Sequence, residues 1–271
     1  MLRSLWVAKT GMDAQQSNLD TISNNLANVS TTAYKRVRPI FEDLLYQNIR
    51  APGMNEDSAS YVPAGLQAGN GARIAATQRI NSAGSLVQSQ NPLDMAINGN
   101  GFFAVSTPTG VAYTRAGNFM RNDKGQIVTA SGNVLLGQTS VAANSTSTAG
   151  IVVPSKSTSV VIGSDGTVSY YLGDASAPSQ ADQIAMVSFV NPTGLASAGG
   201  GLYYETMSSG EAQVGVAGKE GFGSISQYYT EQSNVNVAEE LVSLIAAQRA
   251  YEITAKSVSA SDQILQKLGQ L

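Results

Sequence analysis

The sequence contains neither cysteine nor histidine. Without cysteine there is no disulfide framework and no thiol nucleophile. Without histidine the commonest general base and the commonest metal ligand are missing. Charge is scarce too: Asp, Glu, Lys and Arg make up 13% of the 271 residues, against about a quarter in an ordinary soluble domain. The formal net charge of -3 gives no electrostatic reason to expect nucleic acid or an anionic membrane surface as a partner. The only basic cluster, Lys35, Arg36 and Arg38, reads as a solvated turn. No apolar run approaches a membrane span, so no membrane insertion is expected, and Met1 to Lys9 carries no signal-peptide core. Passage out of the cytoplasm is therefore expected without a cleaved leader.

Catalytic chemistry finds little to stand on. A Ser-His-Asp triad is impossible, and the nearest approach to a serine–lysine dyad is Thr32 to Lys35 at a helix end. Gly99 and Gly101 are not followed by the third glycine of a dinucleotide fingerprint, and no phosphate loop occurs. Asp123 and Asp165 read as turn formers without calcium-loop spacing. Glu239 and Glu240 are adjacent in the first turn of a helix, where the macrodipole favours them. No catalytic, cofactor-binding or metal-ligating residue is expected, and the chain reads as a non-enzyme.

What is present is concentrated at the two ends. From Val237, one stripe takes in Leu241, Leu244, Gln248, Tyr251, Ala255, Val258, Asp262 and Leu265, alternating steps of four and three. That spacing is a heptad seam. Asn236 and Glu239 form a capping pair at its start. Such a helix of about 30 residues is about 45 Å long and cannot cover its own seam. Met1, Leu5, Ala8, Met12, Gln15, Leu19, Ile22, Leu26 and Val29 repeat the spacing at the other end. The simplest arrangement pairs the two as an antiparallel coiled-coil stalk; the plainer alternative is two helices lying on a globular core. Asn24, Asn25 and Asn28 sit off the seam and offer amides for lateral contacts, or mark fraying towards the Ser30-Thr31-Thr32 cluster.

The middle is β-type. Tyr34 to Tyr46 reads as a short ordered connector, and Arg50 to Gly71 as a loop punctuated by Pro and Gly. Short strands are predicted around Met95–Ile97, Phe102–Val105, Gln126–Thr129, Val134–Leu136 and Ile184–Val190. A hairpin joins Val160–Ile162 to Thr167–Leu172 across Ser164-Asp165-Gly166. The expected fold is a mainly β central domain, barrel-like or of orthogonal sheets, with long terminal helices. The expected divisions are 1–33 with 233–271 (helical), 34–72 (connector and loop) and 73–232 (β).

Several motifs carry a resemblance. Ser23-Asn24-Asn25-Leu26-Ala27-Asn28-Val29-Ser30-Thr31 is similar to the N-terminal signature of the flagellar rod and hook family of axial proteins. Leu93 to Phe103 and Tyr113-Thr114-Arg115-Ala116-Gly117-Asn118-Phe119 resemble its central motifs. Ser233 to Leu241 and Gln248-Arg249-Ala250-Tyr251-Glu252 resemble its C-terminal one. Ser4 to Gln16, and Phe41 to Gln47 with the loop to Gly71, are similar to the distal rod branch. Ala33 stands where the family usually has glycine, so a left-handed cap there is strained.

The resemblance implies a structural subunit of the flagellar basal-body distal rod, polymerising through its terminal helices into a rigid shaft that transmits motor torque to the hook. The implied partners are copies of itself, proximal rod and hook or hook-junction proteins, the P- and L-ring proteins around the rod, and the flagellar type III export apparatus. The implied place is the periplasm-spanning rod. The alternatives are a proximal rod or hook protein of the same family and, outside it, a secreted β-domain adhesin or hydrolase.

Overall fold

The computed structural model describes residues 2–50, 55–57, 60–61, 65–138, 150–173 and 177–269. They fall into two compact units. One comprises Met1–Ala27, Val37–Arg79 and Asn236–Leu271; the other comprises Asn28–Arg36 and Ile80–Val235.

The first unit carries both long helices, α1 (Leu2–Ala27) and α2 (Val237–Gly269). Neither contains proline, and their hydroxyls are satisfied along the helix, as where Thr21 donates to the Ser17 carbonyl and Thr254 to that of Ala250. The Asn236 side chain accepts from the Ala238 amide at 3.0 Å, the cap that the sequence predicts for α2. α1 stops at Ala27, so Val29, the last member of the expected N-terminal seam, lies in a turn beyond the helix.

α1 packs on α2 and on a ladder in which Val37–Asp43 pairs antiparallel with Ala72–Arg79. A second ladder joins Gln47–Arg50 to Leu66–Ala68, and a third joins Asn55–Asp57 to Ser60–Tyr61. The stretch read as connector and loop is therefore largely paired strand. Gly and Pro punctuate this stretch, and Gln47–Arg50 and Leu66–Ala68 bury too little to show apolar alternation. Residues 51–54, 58–59 and 62–64 of that loop lie outside the described residues.

The second unit is β throughout its centre. Its sheet runs Phe119–Arg121, Ile127–Thr129, Val134–Leu135, Phe102–Thr107, Gly110–Thr114, Leu202–Tyr204, Ala196–Gly199. Met186–Ser188 also pairs with Phe102–Thr107, and with Gln213–Gly215. The sheet thus branches at Phe102–Thr107, and among the described residues it does not close as a barrel. The predicted hairpin forms, with Ser157–Ile162 and Thr167–Leu172 antiparallel and Ser179–Gln183 added at its edge.

Side chains alternate across a strand, and in Phe102–Thr107 both faces are buried. Phe103 and Val105 enter one cluster with Phe119, Ile127, Leu135, Ile184 and Met186. Phe102 and Ala104 enter another with Tyr113, Val187, Phe189 and Tyr203. Edge-to-face rings lock each cluster, Phe103 on Phe119 at 5.4 Å and Tyr113 on Phe189 at 4.8 Å. Burial, with Glu205 nearby, pushes the Tyr113 phenol up to about 12.

Two local expectations change here. Ala33 does adopt the left-handed conformation, with φ 56°, although it is not glycine. Its amide is tied to the Glu231 carbonyl at 2.8 Å, which holds the disfavoured backbone in place. Lys35, read as part of a solvated turn, is buried.

Candidate assembly surface

Where α1 meets α2, Gly11 faces Thr254. The Thr254 methyl lies 3.7 Å from where a Cβ on Gly11 would stand. Ala247 and Glu240 are buried on α2, with Ser243, Leu244, Ala250, Thr254, Ala255, Val258 and Ser261 half-buried around them. Hydroxyls bonded to their own helix add little polarity to such a face, and small side chains let two backbones approach.

The large apolar side chains of α2 point elsewhere. Leu241 is 44% exposed, Val242 68%, Ile253 67% and Ile264 52%, with Val237, Ile245 and Tyr251 also exposed. Of the seam expected on α2, the structure half-buries Leu244, Ala255 and Val258. It leaves Val237, Leu241, Gln248 and Tyr251 open; the Leu265 side chain lies outside the described residues. An amphipathic helix of a finished globule is built the other way round, large apolar side in and small or polar side out. Val242, Ile245, Ile253 and Ile264 were not singled out in the sequence, because a single heptad stripe does not include them.

On α1 the expected seam is better covered. Ile22 is buried, and Leu5, Met12, Gln15, Leu19 and Leu26 are half-buried, with Ala14 buried beside them. Trp6 is exposed, and Lys9 Nζ lies 5.4 Å from its ring centroid. Trp6 also lines an open cleft of about 770 Å³ with Glu42, Leu45, Tyr46, Asn70 and Arg73. Leu45, Tyr46, Ile49 and Leu66 continue this exposed apolar ridge along the ladders. At the cleft, the Asp43 carboxylate accepts from the Tyr46 hydroxyl and raises its pKa.

The three asparagines separate. Asn25 is 2% exposed. Its amide nitrogen donates to the Val37 carbonyl at 2.8 Å, and its oxygen accepts from the Val37 amide at 3.0 Å, as a neighbouring strand would. The same nitrogen lies 3.4 Å from Glu240 Oε2. Asn24 is exposed and Asn28 half-buried.

No group of three or more Asp, Glu, His or Cys among the described residues could hold a metal ion. No helix among them is long and apolar enough to cross a membrane.

Three family models match the chain. Residues 5–35 match the flagella basal body rod protein, 96–170 the flagellar hook protein FlgE/F/G D1 domain, and 226–271 the flagellar basal body rod FlgEFG protein C-terminal region. The flagellar basal-body rod protein FlgG of Buchnera aphidicola subsp. Acyrthosiphon pisum is 47% identical over 272 residues, covering 100% of both chains. Its counterpart in Caulobacter vibrioides is 41% identical over 100% of this chain and 99% of its own. That of Bacillus subtilis is 36% identical over the same shares.

Proposed function

This chain belongs to the FlgG family of flagellar basal-body rod proteins, and we propose that it builds its part of the rod through the outward face of α2. It is a structural subunit of the flagellar basal-body rod. We assign it to the distal rod, where copies join helically into a stiff shaft carrying torque to the hook. The observation that carries the assembly reading is the inverted helix: α2 spends small residues on α1 and leaves Leu241, Val242, Ile245, Tyr251, Ile253 and Ile264 uncovered. Fully covering one such side chain is worth about 1.5–3 kcal/mol. A row of them, repeated in every copy, offsets the entropy lost on association.

Within the chain, α1 and α2 pair antiparallel as a coiled coil. The support is two contacts, Gly11 with Thr254 and Asn25 with Glu240, fourteen residues apart on each helix and in opposite order. Between chains, the exposed α2 stripe meets α1 and the Trp6–Tyr46 ridge of other copies, with Asn24 and Asn28 as lateral contacts. Each copy offers one face and receives another, so the contact propagates as a helix rather than closing. The terminal segments 1–33 and 233–271 are the assembly part, 34–72 a connecting arm, and 73–232 the β body. Neighbouring proteins in the basal body are proximal rod and hook or hook-junction subunits, the P- and L-rings around the shaft, and the type III export apparatus. The role needs no catalytic group or cofactor.

Electron microscopy of the purified, concentrated chain tests this. Straight tubes are expected, and Leu241→Asp with Ile245→Asp is expected to abolish them while the circular-dichroism melt of the β body stays unchanged. Curved tubes would assign the chain to a hook, and tubes from the double variant would refute the role of the α2 face.

A further inference from the structure

The second unit buries three charged side chains together. Glu231, ending the strand Tyr229–Glu231, has no exposed side-chain surface, and Lys35 and Arg115 are 3% and 6% exposed. Lys35 Nζ donates to Glu231 Oε1 at 2.5 Å and to the Ser82 carbonyl at 2.8 Å. Arg115 Nε donates to Oε2 at 3.0 Å, and a terminal nitrogen of the guanidinium donates to the Gly99 carbonyl at 2.8 Å. The Gly84 amide adds a bond to Oε1 at 2.9 Å. Burial pushes the Glu231 carboxyl up, but Arg115 and Lys35 together pull it below the usual carboxylate range. One carboxylate therefore holds three distant stretches of chain.

Two of the stretches joined here are the peptides that lead out of α1 and into α2. Residues 31–36 and 231–235 also bond to each other: the Ala33 amide donates to the Glu231 carbonyl at 2.8 Å, and the Asn234 amide to the Tyr34 carbonyl at 3.3 Å. The Asn234 side chain accepts from the Arg36 amide at 2.7 Å and donates to the Ile80 carbonyl at 2.9 Å. The strand Tyr229–Glu231 pairs with Leu86–Gln88, and Gln232 donates to the Ser85 carbonyl. Arg115 sits in the turn after the strand Gly110–Thr114, far in sequence from both connecting peptides.

We propose that Glu231, Lys35 and Arg115 form an ionic clamp that fastens both connecting peptides, 31–36 and 231–235, to the β body. The clamp is a property of the single chain; only its purpose, passing load without slack, rests on the rod reading. Removing the central carboxylate leaves two buried cations facing each other without a counter-charge, and breaking one partner of a buried group is strongly destabilising. Removing Lys35 leaves the Arg115–Glu231 half intact.

Amide hydrogen exchange on the dilute full chain tests the clamp. Glu231→Gln is expected to speed exchange in 31–36 and 231–235 on the order of a hundredfold, with the amides of Val105, Ile127 and Ile184 unchanged. Lys35→Met is expected to loosen 31–36 while 231–235 stays protected, and it decides the matter if Glu231→Gln unfolds the unit. Unchanged protection in Glu231→Gln, or equal loosening of both peptides in Lys35→Met, overturns the clamp. If the peptides loosen as expected but the wild-type chain never forms tubes, the clamp stands and the rod reading fails.

Discussion

The two units handle apolar side chains in opposite ways. In the β unit Phe103, Phe119, Ile127, Leu135, Ile184 and Met186 are all essentially sealed from water, and the strand Phe102–Thr107 is covered on both faces. In the helical unit α2 turns Ala247 inward and leaves Leu241, Val242 and Ile253 out. A body that buries its large residues is complete as a single chain. A helix that buries its small ones keeps its best contact area for something else, and under the proposed function that something is another copy.

Substitutions of similar chemistry should therefore have very different effects in the two units. The largest is expected in the β body: Phe103→Ala removes a ring packed against Phe119 and should cost about 3–5 kcal/mol, read as a lowered Tm of the β transition in calorimetry. A loss below about 1 kcal/mol would mean that the β body is not the independent core described here. Next comes Asn25→Ala, which strips the Val37 amide and carbonyl of their buried partners. That should cost about 1–3 kcal/mol and loosen the start of the strand Val37–Asp43, visible in its amide exchange.

Acid provides a graded version of the same comparison. A Glu231 carboxyl held below its ordinary value of 4.5 binds protons more readily in the unfolded chain. The stability it confers is thus fully present above that value and is lost as the pH falls through the folded pKa. Peptides 31–36 and 231–235 should loosen with acid over that window, read in their amide exchange, and Glu231→Gln should flatten the dependence. The smallest effect is expected on α2, where Leu241→Asp with Ile245→Asp should change the stability of the dilute monomer by no more than about 0.5 kcal/mol per site.

Much of this division could be read from the residues. Proline-free helices at both ends, the Asn236 cap, the Phe102–Val105 strand and the Ser164-Asp165-Gly166 hairpin all appear where local chemistry places them. What stayed hidden depended on distant partners. A heptad pattern says that a seam exists but not which of two adjacent stripes meets the neighbour; Thr254 faces Gly11 on α1, where the absence of a side chain permits close approach. Lys35 looked solvated because its carboxylate lies almost two hundred residues away, at Glu231. The ladder joining Gln47–Arg50 to Leu66–Ala68 buries too little to leave an alternating signature.

The absence of cysteine makes one measurement especially direct. A single Leu241→Cys variant carries one thiol, on the exposed face of α2, and its rate of maleimide labelling can be compared in the dilute chain and in assembled tubes. Rapid labelling of the monomer and strong protection in the tube are expected if that face is the interface between copies. Equal labelling in both states would contradict the account.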